Sequence, residues 1–97
     1  MTELIIPLYY KPSWELEMEG KELDTTFANQ LRELGERLKT RLNTIAEIHE
    51  ILLENGWKAF GGQYEITYYK DIPMEKAEQE LKKLGVHEKL AKIEAQS

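Results

Sequence analysis

The stretch DTTFANQLRELGERLKTRLNTIAEIHEILLEN, residues 24–55, contains no proline and one glycine. Its apolar residues Phe27, Leu31, Leu34, Leu38, Leu42, Ile45, Ile48 and Leu52 recur in steps of three and four. That spacing places them on one face of an α-helix. Read as one continuous helix, the stretch is roughly 45 Å long at 1.5 Å per residue. A domain of about 100 residues does not need an element that long. Asp24 or Thr25 is placed to cap the first free N–H groups, and Asn55-Gly56 to end the helix.

Three features of this stripe raise questions. His49 lies inside it, between Ile45 and Leu52, and Arg41 lies at its edge beside Ile48. Ala28, Gly35 and Ala46 form a flank of small residues. A glycine inside a helix costs about 1 kcal/mol relative to alanine, so Gly35 points to the close approach of another backbone.

C-terminal to this stretch, residues 57–70 read as a β-hairpin with Gly61-Gly62 as a two-residue turn. That turn sets Phe60 opposite Gln63, Ala59 opposite Tyr64, Lys58 opposite Glu65 and Trp57 opposite Ile66. The inner face is then Trp57, Ala59, Tyr64, Ile66 and Tyr68. Lys58, Phe60, Gln63, Glu65, Thr67 and Tyr69 face outward. Asp71-Ile72-Pro73 opens a further helix with the stripe Met74, Ala77, Leu81 and Leu84. Gly85 ends it, and Val86, Leu90 and Ile93 restart the period in a second short helix, after which residues 95–97 fray.

N-terminal to the stretch, residues 3–10 have the β-branched and aromatic content of a strand. Leu4, Ile6, Leu8 and Tyr10 share one face and Ile5, Pro7 and Tyr9 the other, which implies cover on both sides. Pro7 lacks an N–H and argues for an edge position or a bulge. After a turn at Lys11-Pro12-Ser13, residues 14–19 alternate: Trp14, Leu16 and Met18 face inward, Glu15, Glu17 and Glu19 outward. Gly20-Lys21-Glu22 reads as a loop. The three glutamates form a solvated face that also blunts edge-to-edge aggregation.

Assembled, the chain is a single α+β domain over residues 1–97, in the order ββ-α-ββ-α-α. Two hairpins form a four-stranded antiparallel sheet packed on one long helix, with two short C-terminal helices.

Composition narrows what this domain does. The net charge is −5. Residues 1–24 hold six acids against Lys11 and Lys21, so the acidity belongs to the N-terminal arm. Acidic charge repels phosphate backbones, which argues against nucleic acid as a partner. There are no cysteines, which removes disulfides, thiolate zinc sites and cysteine nucleophiles. No run approaches the ~18 apolar residues of a membrane span, and no signal peptide is read, so a cytoplasmic location is expected.

The sequence offers little for catalytic chemistry. His49-Glu50-Ile51-Leu52-Leu53 opens like a zinc-protease motif but has Leu53 where the second histidine must stand. With His87 remote in sequence, His49 reads as a buried, neutral core histidine and no metal is expected. Ser13 and Ser97 sit in no nucleophile elbow. Gly61-Gly62 has no following Lys-Ser/Thr and is no phosphate loop. No catalytic residue and no cofactor is implied.

Two readings compete. The first is a small non-catalytic protein that works by association, as a homodimer or with another protein. Its candidate interface residues are Ala28, Gly35, Arg41, Ala46, Phe60 and Tyr69. The uncovered part of a long helix stripe is its main argument. The alternative is a small-ligand-binding regulatory domain that uses the aromatic sheet face as a pocket wall.

Overall fold

The computed structural model describes residues 1–8, 18–38 and 41–95. Its elements run β1 (Thr2–Pro7), β2 (Glu22–Leu23), α1 (Phe27–Leu38), α2 (Leu42–Glu54), β3 (Lys58–Gly61), β4 (Glu65–Lys70), α3 (Met74–Lys83) and α4 (Val86–Ala95). The four strands make one antiparallel sheet in the order β1-β4-β3-β2. The fold is therefore α+β with a four-stranded antiparallel sheet, as the sequence implies. The expected pair of hairpins is corrected: β3 and β4 form one, whereas β1 and β2 lie at opposite edges and pair with β4 and β3.

The expected long helix is two helices, a correction to the sequence reading. Arg41 lies in the break at φ −74°, ψ 1° and stands as the N-cap of α2. The chain folds back there, since Arg32 on α1 forms an ion pair with Glu50 on α2, eighteen residues later. On a straight helix those residues would stand about 27 Å apart. The whole chain is only 36 Å in its longest dimension, shorter than the helix first expected. Folding back lets the stripe cover itself. Phe27, Leu31, Leu34, Leu42, Ile45, Ile48 and Leu52 are all buried in one core.

The hairpin is also corrected. Lys58 pairs with Tyr69, Ala59 with Tyr68, Phe60 with Thr67 and Gly61 with Ile66. The turn falls at Gln63-Tyr64, closed by Gly62 N–H donating to the Glu65 carbonyl at 2.8 Å. This register lies four residues from the expected one. Because side chains alternate with a period of two, an even slip leaves both faces intact. Trp57, Ala59, Ile66 and Tyr68 are buried as expected, while Tyr64, now in the turn, is 45% exposed.

Gly61 is thus a strand residue and not a turn residue. A Cβ on it would stand 2.0 Å from the Met18 carbonyl oxygen. The chain entering β2 runs hard against it, with Gly20 N–H donating to the Gly61 carbonyl and Gly61 N–H to that of Lys21. Glycine is the residue that admits such backbone contact.

In the N-terminal arm, β1 occupies an edge of the sheet, as Pro7 implies. Its cover is one-sided, however, for Ile6 and Leu8 are buried whereas Ile5 is 57% exposed. The expected strand over 14–19 lies outside the described residues as far as 17, as do Tyr9, Tyr10 and the turn at 11–13. At its described end Met18 is buried and Glu19 exposed, but the chain there is a turn and not a strand, closed by Lys21 N–H donating to the Met18 carbonyl at 3.1 Å. The segment expected as a loop supplies β2 at Glu22–Leu23. At the other end, Ala77, Leu81, Val86 and Ile93 join the core, but Met74 stays out of it. Of the fraying expected over residues 95–97, Ala95 instead closes α4, and 96 and 97 lie outside the described residues.

Candidate interaction surface on the sheet

The two faces of the sheet differ in their fate. Leu4, Tyr68, Ala59 and Leu23 form one inward row across the four strands, and Ile6, Ile66 and Gly61 form the next. Both rows pack into the core. The outward rows are Glu3–Tyr69–Lys58 and Ile5–Thr67–Phe60–Glu22. Ile5 and Phe60 are 57% and 44% exposed, and Met1 beside them is 77% exposed.

Phe60 and Tyr69 thus share one face on adjacent strands. They sit on the diagonal, one register pair apart, a separation of about 7–8 Å that aromatic side chains bridge. With Met1, Glu3 and Thr67 they line a recess of about 430 Å³ that opens to solvent. Glu3 and Lys58 are exposed at opposite ends of the Tyr69 row, and neither has an ion-pair partner among the described residues.

The remaining candidate interface residues lie elsewhere. Ala28 and Ala46 are fully buried. Gly35 does admit a close approach, but of this chain's own α2: a Cβ there would stand 3.1 Å from Leu42 Cβ and 3.2 Å from the Asn43 backbone nitrogen. Arg41 donates from its guanidinium to the Pro7 carbonyl at 2.7 Å, tying the helical corner to the end of β1. The structure brings Phe60 and Tyr69 together and separates them from the other four. Ile5 and Glu3 were missed as partners of that patch. Their row positions follow from the β1–β4 pairing, which no local pattern announces.

The polar groups in the core form satisfied structural networks. The Asp24 carbonyl only accepts, so His49 Nε2 carries the proton and donates to it at 2.7 Å. Nδ1 then accepts the Tyr68 hydroxyl proton at 2.7 Å. Burial pushes the His49 pKa below its ordinary value, against the opposing pull of the Asp24 carbonyl. Burial likewise pushes the Tyr68 hydroxyl far upward, so it stays a donor. Phe27 and Tyr68 both pack against the imidazole, with ring centroids 5.7 and 5.4 Å away.

A second network surrounds Glu80. Its carboxylate accepts the Trp57 indole N–H at 3.0 Å and the Lys70 ammonium at 2.9 and 3.0 Å. Burial raises its pKa, and the two donors together outweigh that and hold it below the ordinary carboxylate range. His87 pairs with Glu78 between α3 and α4. Among the described residues no three His, Asp or Glu side chains converge as a metal site would require. Compared with protein-family models, with curated proteins and with solved structures, the chain matches none.

Proposed function

We propose that this chain is a small association protein whose contact surface is the outer face of its sheet. One observation carries the reading. Met1, Ile5 and Phe60, three of the five exposed large apolar side chains among the described residues, lie on that face: Met1 and Phe60 line the recess with Tyr69, and Ile5 stands in the same row as Phe60. A contiguous exposed apolar patch marks an interaction site. The alternative, a ligand pocket with an aromatic wall, fits less well. The recess beside Phe60 and Tyr69 opens outward and does not enclose a guest. The helix stripe no longer supports association, because it is spent inside the chain.

The test is whether association depends on this face. Light scattering coupled to size exclusion at micromolar concentration should give a mass above that of the 11.4 kDa chain. Its melting temperature should rise with protein concentration. Replacing Ile5 and Phe60 together by threonine keeps strand propensity and removes apolar surface. That variant should keep its circular dichroism and lose the concentration dependence. Association that persists in it would place the contact elsewhere.

A further inference from the structure

We infer that the partner seated on the outer sheet face is a second copy of this chain, packed face to face about a two-fold axis running along β4. This rests on the association reading above and specifies its geometry. The argument is the arrangement of the outward rows. Glu3, Tyr69 and Lys58 stand on three adjacent strands, with Tyr69 in the middle. Neighbouring strands are about 4.8 Å apart, so the acid and the base flank Tyr69 at equal distances. A two-fold axis along the central strand exchanges left and right. It sets Glu3 over the partner's Lys58 and Lys58 over the partner's Glu3, so one row yields two opposite-charge pairs.

The next row follows the same operation. Ile5 and Phe60 flank Thr67 on the same two strands. The axis lays Ile5 over the partner's Phe60 and Phe60 over the partner's Ile5. Both exposed apolar side chains are then covered by each other, while Tyr69 meets its own copy on the axis. An isologous contact demands this kind of self-complementarity. Two sheets packed in this aligned way keep their strand directions within about 30° of each other and stand about 10 Å apart, which such side chains span. Glu65 is the one charge lying on the axis itself. Its carboxylate turns back along the hairpin, where Oε2 accepts the Tyr64 N–H at 3.1 Å and Oε1 lies against Gly62.

Charge exchange tests the pairing. Glu3→Lys sets lysine against the partner's Lys58, and Lys58→Glu sets glutamate against the partner's Glu3. Each single variant should dimerise about tenfold more weakly than the parent at low salt. The double variant, Glu3→Lys with Lys58→Glu, should recover the parental affinity. Mixing the two single variants should yield heterodimers, since the crossed pairs are again of opposite charge. Single variants that dimerise like the parent, while the Ile5→Thr/Phe60→Thr chain does not, would overturn this geometry and leave the face reading standing. A parent that stays monomeric at all concentrations would overturn both.

Discussion

Arg32 and Glu50, eighteen residues apart, meet in a two-armed contact between α1 and α2, with Nη1 to Oε2 at 3.1 Å and Nη2 on Oε1. The pair reports the reversal of the chain more than it stabilises it. Its side chains are 37% and 33% exposed, and exposed pairs contribute about 0.2–1 kcal/mol. The tight packing at Gly35, against Leu42 and Asn43 at the start of α2, is where the reversal is sensitive to substitution.

Gly35→Ala distinguishes a folded-back pair of helices from one straight helix. On a straight, solvated helix the change would stabilise by about 1 kcal/mol. Here the new Cβ would stand 2.9 Å from Asn43 Oδ1 and 3.1 Å from Leu42 Cβ, so part or all of that gain is lost. Gly35→Leu should cost about 1–3 kcal/mol by overpacking. Urea unfolding midpoints measure both, and a leucine variant as stable as the parent would contradict the α1–α2 contact.

Gly61→Ala should be more damaging. Its Cβ would fall 2.0 Å from a backbone oxygen of Met18, which has no flexible end to swing aside. A loss of at least about 3 kcal/mol is expected, or failure to fold. Gly62→Ala supplies the contrast, because what its Cβ meets first is the end of the mobile Glu65 side chain. The Gly62 variant should fold and retain most of its stability. Equal tolerance at the two positions would refute the observed register.

Tyr68→Phe removes one oxygen and leaves His49 Nδ1 buried without its donor. An unsatisfied buried group costs about 1–3 kcal/mol. Since the hydroxyl is far from the outer face, dimer affinity of the folded protein should stay unchanged. A stability loss under about 0.5 kcal/mol would mean that Nδ1 has another partner.

Acid should weaken the fold in two stages. His49 has a folded pKa below its ordinary 6.5, so the unfolded chain takes up a proton first. Stability is full above 6.5 and falls as pH drops from there through the folded pKa. Glu80, held below its ordinary 4.5 by Lys70 and Trp57 against burial, contributes above 4.5 and is lost as pH falls through its folded pKa. Denaturant midpoints across pH 3–8 should trace both stages, and Glu80→Gln should flatten the lower one. A ring-proton titration of His49 centred above 6.5 would be incompatible with its burial.

Much of this was legible in the sequence, and the failures have physical causes. The core residues of the stripe were identified because their period survives in both helices. The break between them was not, since Arg41 adopts a right-handed conformation open to any residue and no glycine or proline marks the corner. Strand β2 has two residues, too few for a period to show. Phe60 and Tyr69 were read as outward because alternation gives that directly. Glu3 and Ile5 join them only through a pairing between strands some sixty residues apart, and that pairing is set by the tertiary fold.

The four-residue slip between expected and observed hairpins bears on how this gene tolerates insertions and deletions. Alternating strands define their faces but are indifferent to sliding by two, so the hydrophobic pattern admits a ladder of equivalent registers. What selects one rung here is a steric key: Gly61 must lie where the chain leaving Met18 crosses β3. Removing Gln63 and Tyr64 together would shorten the loop and force a new closure, yet leave every inward residue inward. Losing either alone would leave three residues between Gly61 and Ile66, a length that closes with a bulge and keeps Ile66 and Tyr68 inward. In-frame changes in this loop should therefore be tolerated as long as the Gly61–Ile66 pair is kept, whereas a residue lost within β4 itself would turn its far end over.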